Sequence, residues 1–157
     1  MIYIDVDGVL ADFHSHMDLL SNHPDLWSDD EVIHRVMDEN FKVCFKDAKC
    51  LPNLSFFRRM YQQNPGQVKL LSAHGDFWSD HYHRQIAIKN KIDWVKSRGF
   101  SANDLILVAK SHEKLQYCNE GDILYDDKWQ TIVDWNDAGG IGIWMNNGRS
   151  QHPDWAP

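Results

Sequence analysis

Five short apolar runs punctuate the chain, at Met1–Asp5, Gln67–Ser72, Asp104–Ala109, Asp122–Tyr125 and Gly140–Met145. Each is rich in Ile, Val or Leu and almost continuous in apolar character, the pattern of strands covered on both faces. Between them the periodicity turns helical, over His83–Arg98, roughly Ser111–Cys118, and Lys128–Asp137. Gly99 and Gly139 stand where such helices stop. Strands alternating with helices predict a parallel sheet of about five strands with helices on both sides.

One stretch breaks this rhythm. About sixty residues separate the first run from Gln67, and none of them reads as a strand. Asp12–Leu20, Asp29–Asp38 and Leu54–Gln62 read as helices, divided by Asn22-His23-Pro24 and Leu51-Pro52-Asn53. An excursion of that length in a compact domain carries its own structure or a function. It predicts a small helical cap, residues 14–66, inserted into a core made of 1–13 and 67–157. Asp12 is placed to cap the first of these helices.

Composition narrows the class. The chain has 157 residues, 43% of them hydrophobic, enough for one domain with a real core. The formal charge of −7 argues against a broad grip on nucleic-acid backbone, though not against a small anionic substrate held by local lysines and a metal. Cys44, Cys50 and Cys118 are odd in number and lack Cys-x-x-Cys spacing, so reduced thiols are expected. With no leader-like segment and no membrane-length apolar run, the expectation is a cytoplasmic protein without membrane partners.

The candidate chemistry sits at strand ends. The first run stops at Asp5, a second acid follows at Asp7, and Gly8 lets the chain turn. Two neighbouring carboxylates repel unless a cation or a shared proton holds them, so the pair implies a metal, a proton relay, or both. The second run ends Ser72-Ala73-His74-Gly75, offering a hydroxyl and free backbone N–H groups. The third is followed by Lys110 and, one helical turn later, Lys114, and the fourth ends in Asp126-Asp127. A parallel sheet would gather all of these at one edge.

That ordered set resembles the haloacid dehalogenase superfamily of phosphohydrolases. Asp5-Val-Asp7-Gly-Val matches its first motif, Ser72 its second, a lysine its third and Asp126-Asp127 its fourth. The longer phrases Asp7-Gly-Val-Leu-Ala-Asp-Phe13 and Ile123-Leu-Tyr-Asp-Asp-Lys128 resemble the 5′(3′)-deoxyribonucleotidase branch. So does Trp135-Asn-Asp-Ala-Gly-Gly-Ile-Gly-Ile143, which is similar to small bacterial and phage members. The resemblance implies a Rossmann-like three-layer α/β/α fold with a cap. It also implies a Mg²⁺-dependent phosphomonoesterase acting through an aspartyl-phosphate, with a small phosphorylated substrate, a nucleoside monophosphate by preference.

In that reading Asp5 attacks phosphorus and Asp7 serves as general acid and base. Asp5, the Asp7 carbonyl and Asp127 hold the metal, with Asp126 in support. Ser72, with Gly8 and Ala73 beside it, binds phosphoryl oxygens. Lys114 or Lys110 balances their charge, and the family's spacing favours Lys114. Phe41 and Phe45 are the aromatics expected to meet a nucleobase. Trp27, Phe56 and Phe57 read as core. His14-x-His16 and His81-x-His83 lack the further ligands of a zinc site, while Lys89 and Lys91 read as a solvated helix face.

Three other readings are less favoured. A polynucleotide 3′-phosphatase of the same superfamily fits the net charge poorly. A receiver-like module carries its acid pair early and its phosphoacceptor later, the reverse of the order here. A catalytically silent phosphate-binding module would not need every catalytic position filled.

Overall fold

All five apolar runs become strands of one parallel sheet in the computed structural model, which describes residues 1–22 and 26–146. They are β1 (Ile2–Ile4), β2 (Val68–Ala73), β3 (Leu105–Val108), β4 (Ile123–Asp126) and β5 (Ile141–Trp144), in the order β3-β2-β1-β4-β5. The helices are α1 (Phe13–Ser21), α2 (Asp30–Glu39), α3 (Leu54–Gln63), α4 (His81–Ser97) and α5 (Trp129–Asp137). The expected helix after β3 is a 3₁₀ segment, Ser111–Tyr117. His23, Pro24 and the tail 147–157 lie outside the described residues.

The shortest strand is the central one. Ile4 pairs with Leu70 on one side and with Tyr125 on the other. From β1 the chain winds outward through β2 and β3, then crosses back to β4, so the winding reverses beside β1. In open parallel sheets ligand sites lie at the carboxyl ends of the strands at such a reversal.

Side chains alternate between the two faces of a strand, which sorts the core into two layers. Ile4, Val68 and Leu70 join Phe57 of α3 and Trp94 and Val95 of α4 in one cluster. Tyr3, Leu71 and Leu124 join Trp135 of α5 in the other, with Leu115 and Tyr117 packed against it. The result is a Rossmann-like α/β/α arrangement.

The cap has a core of its own. Asp12 caps α1 by accepting the Ser15 N–H, and Asp29 caps α2 by accepting that of Glu31. Met17, Leu26, Ile33, Val36 and Phe45 form its centre, and Ala87 of α4 completes the cluster. α3, expected within the cap, instead buries Leu54 and Phe57 against the sheet. Its helical period was legible, but the surface covered by its apolar face was not.

Among the described residues no helix is long and apolar enough to cross a membrane. The three cysteines carry free thiols, and burial pushes that of Cys44 up to about 12, which keeps it unreactive.

Candidate active site

The site begins where β1 ends. Asp5 accepts the Val6 N–H through Oδ1 at 2.8 Å, and its Oδ2 lies 3.1 Å from Lys114 Nζ. Lys114 donates to Asp126 Oδ2 at 2.6 Å, while the Lys128 N–H holds Asp126 Oδ1 at 2.9 Å. Past Asp5 the chain coils tightly, with the N–H groups of Leu10 and Ala11 both donating to the Val6 carbonyl.

That coil depends on Gly8, whose φ is +81°. A Cβ there would stand 1.8 Å from Asp127 Oδ2, so the absent side chain is what admits the Asp127 carboxylate. Gly8, expected to touch substrate, does not line the pocket described below and acts on Asp127 instead. Gly8→Ala is expected to lower the melting temperature by roughly 5–10 °C, from backbone strain plus the clash. Calorimetry checks it, and an unchanged transition would show that the turn absorbs a methyl group.

Asp5, Asp126 and Asp127 each offer an oxygen within 4.8 Å of the others. Burial lifts the Asp127 carboxyl well above the usual range, and Asp126 and Asp5 add to the effect. Burial likewise lifts Asp126 to about 6, against the opposing Lys114 ammonium. Burial raises Asp7 too, with Lys91 opposing and Asp5 reinforcing. Lys114 is held above the ordinary lysine range by Asp126 and Asp5 despite its own burial.

Lys91 corrects the sequence reading. Instead of facing solvent with Lys89 it is 1% exposed, and it donates to Asp7 Oδ2 at 2.6 Å and to the Ala73 carbonyl at 2.8 Å. Residues two apart on a helix point in nearly opposite directions. Lys89 therefore pairs with Asp93 in solvent, while Lys91 turns inward.

Four carboxyl groups thus crowd round two buried ammonium groups, an excess of acid over base that accords with the raised carboxyls. Asp127 Oδ2 is buried and has no hydrogen-bond partner among the described residues. An all-oxygen cluster of this kind offers the donors that a hard cation takes.

The cap overhangs this floor, and the half-open pocket between them has a volume of about 430 Å³. Asp5, Asp7, Ser72, Lys114 and Asp127 line its polar end, and Phe13, Trp27, Ile33, Met37, Phe45 and Phe77 its apolar wall. Ser72 Oγ is wholly buried without a hydrogen-bond partner among the described residues. Ala73 also lines the pocket.

The N–H groups of His74 and Gly75 are not free, because they donate to the Val108 and Ala109 carbonyls and extend the β2–β3 ladder. Lys110 sits half-exposed at the rim, 3.1 Å from Asp76, so Lys114 is the lysine brought to Asp5.

Phe45 lines the pocket but Phe41 does not. Phe41 stacks on His83 with centroids 3.7 Å apart, beside an Asp38 carboxylate that accepts the Ser79 N–H and lies 3.0 Å from His83 Nδ1. Its aromatic surface closes the cap onto α4. His14 and His16 diverge: His14 Nδ1 lies 3.9 Å from Asp127 Oδ2, while His16 meets the Val43 carbonyl.

Sequence reasoning missed Lys91, His14, His74, Phe13 and Phe77. Phe13 and His74 lay in phrases already singled out for the site, and His14 in the His14-x-His16 pair set aside as an incomplete zinc site, whereas Lys91 and Phe77 lay in none. No protein-family model matches the chain, and no curated protein matches it either.

Proposed function

We propose that this protein is a phosphomonoester hydrolase of the haloacid dehalogenase type, acting on nucleoside monophosphates. The observation that carries the reading is the convergence of Asp5 and Asp7 after β1, Ser72 of β2, Lys114 of the 3₁₀ segment after β3 and Asp127 after β4 on the floor of one capped pocket. In the first step an Asp5 carboxylate oxygen bonds to phosphorus while the ester P–O bond breaks. The electron pair leaves with the ester oxygen, which takes a proton from Asp7. In the second step water attacks the aspartyl-phosphate and gives a proton back to Asp7. The Asp5–phosphorus bond breaks, and inorganic phosphate is released.

A raised pKa suits Asp7 to this work, because a carboxyl that is protonated nearer neutrality can donate. Ser72 Oγ donates to a phosphoryl oxygen, and Lys114 offsets its charge. Asp5, Asp127 and the Asp7 carbonyl would hold Mg²⁺, which when bound supplies charge neutralisation at the phosphoryl oxygens. The apolar wall beside the carboxyl groups suits a base and sugar. Phosphate release from nucleotides, sugar phosphates and 3′-phosphorylated oligonucleotides, with and without Mg²⁺, tests the reading. Release from none of them overturns it.

The raised carboxyls also set a pH dependence. A group whose pKa is raised in the folded state binds its proton more tightly there, so the stability it confers is full below its unfolded value. That stability fades as pH rises through the folded value. For Asp126 the window runs from about 4 to about 6. The metal-free protein is therefore expected to melt higher at about pH 5 than at about pH 7.5, and millimolar Mg²⁺ should shrink the difference. Scanning calorimetry at both pH values checks it, and a difference that Mg²⁺ leaves unchanged contradicts a cation at these carboxylates.

A further inference from the structure

Two buried lysines reach the site, and they divide it. Lys114 lines the pocket and bonds the nucleophile's carboxylate. Lys91 does not line the pocket, and it is 1% exposed. Its Nζ bridges Asp7 Oδ2 at 2.6 Å and the Ala73 carbonyl at 2.8 Å, and it stands 4.3 Å over the Phe45 ring. One ammonium thus ties together the coil after β1, the end of β2 and a cap aromatic that walls the pocket.

Asp7 needs such a tie. It lies beyond the end of β1, and among the described residues the bond from Lys91 is the one hydrogen bond its carboxylate makes. A carboxyl on a coil is otherwise free to turn about two side-chain bonds. Lys91 takes Oδ2, which leaves Oδ1 for proton transfer. Because Ala73 follows Ser72 directly, the same ammonium sets the distance between the proton donor and the hydroxyl that holds the phosphoryl group.

We propose that Lys91 is the positioning residue of Asp7, fixing its carboxyl against the Ser72–Ala73 strand end so that the proton meets the leaving oxygen, a role that rests on the hydrolase reading above. No bond to substrate is involved. The proton moves from Asp7 to the departing ester oxygen as the P–O bond breaks, and Lys91 keeps its own protons throughout.

The test compares an alkyl phosphate, a nucleoside 5′-monophosphate, with an activated aryl phosphate, whose leaving oxygen needs little protonation. Misplacing a reacting group by about 1 Å costs on the order of 10²-fold. Lys91→Met is thus expected to lower kcat for the nucleotide by about 10²-fold and for the aryl ester by less than about fivefold. KM should stay within about twofold for both, since Lys91 lies outside the pocket lining.

In an Asp7→Asn background the lysine has no carboxyl to position. Adding Lys91→Met there should cost less than about threefold, the non-additivity of residues acting as a unit. That pair also serves if Lys91→Met alone fails to fold by stranding a buried carboxylate, because both proteins lack that charge. Equal losses on the two esters, or a further tenfold loss in the Asp7→Asn background, overturn the assignment. Wild-type inactivity on both esters would instead remove the hydrolase reading, and this role with it.

Discussion

Asp5→Asn is expected to abolish phosphate release, by about 10⁴-fold or more, while the protein stays folded. The lone pair of an amide nitrogen is delocalised into its carbonyl, and the neutral amide oxygen is too weak a nucleophile to displace an alkoxide. The fold survives because the contacts that define the β1 end are retained. An amide oxygen can still accept the Val6 N–H, and Lys114 keeps its 2.6 Å partner in Asp126. In the metal-free protein the substitution even removes one charge from an over-anionic cluster. The wild type, quenched in acid during turnover, should carry one phosphoryl group on the peptide containing Asp5, and Asp5→Asn should carry none. A folded variant with a rate within about tenfold of wild type would rule Asp5 out as the nucleophile.

The sheet and the edge that gathers the candidate site were legible because both follow from short-range rules. A run such as Leu70-Leu71 bounded by turn residues is a buried strand whatever surrounds it. An acid directly after such a run must emerge at the strand's carboxyl end. Parallel pairing then brings Asp5, Ser72 and Asp126 together without further information. The resemblance favoured Lys114 and left Lys110 open, and the structure brings Lys114 to Asp5. One 3₁₀ segment carries Lys114 back under the strand ends, while Lys110 stays at the rim with Asp76.

What was not legible depends on which surface a helix face meets. The period of α4 shows that Lys91 and Trp94 share a side, yet nothing local says that this side ends against Asp7. For α3 the apolar stripe was plain, and only the tertiary packing assigns it to the sheet. Phe41 and His83 fail for the same reason. Each looks functional alone, and their stacking across forty-two positions is a long-range contact. The pocket wall follows the same logic, since Phe13 and Phe77 flank the motifs and become a wall only when the cap folds back.

The two late acids should separate in their response to Mg²⁺. Asp126 has both oxygens engaged, by Lys114 and by the Lys128 N–H, whereas Asp127 Oδ2 has no hydrogen-bond partner among the described residues. Without metal, Asp127→Asn removes an uncompensated buried charge and is expected to raise the melting temperature at about pH 7.5. Asp126→Asn also removes a charge, but it weakens the bond from Lys114, so without metal it is expected to shift the melting temperature by only a few degrees. With Mg²⁺ the two variants should differ more. Asp127→Asn should lose the Mg²⁺-dependent rise in melting temperature, and should need about 100-fold more Mg²⁺ for half-maximal phosphate release. Asp126→Asn should keep the rise and need about 10-fold more, because an amide still fixes the neighbouring groups. Calorimetry and Mg²⁺ titration of the two variants decide between the acids. If Asp126→Asn is the one that loses the Mg²⁺ response, the ligand roles are exchanged; if neither does, the cation does not bind at this cluster.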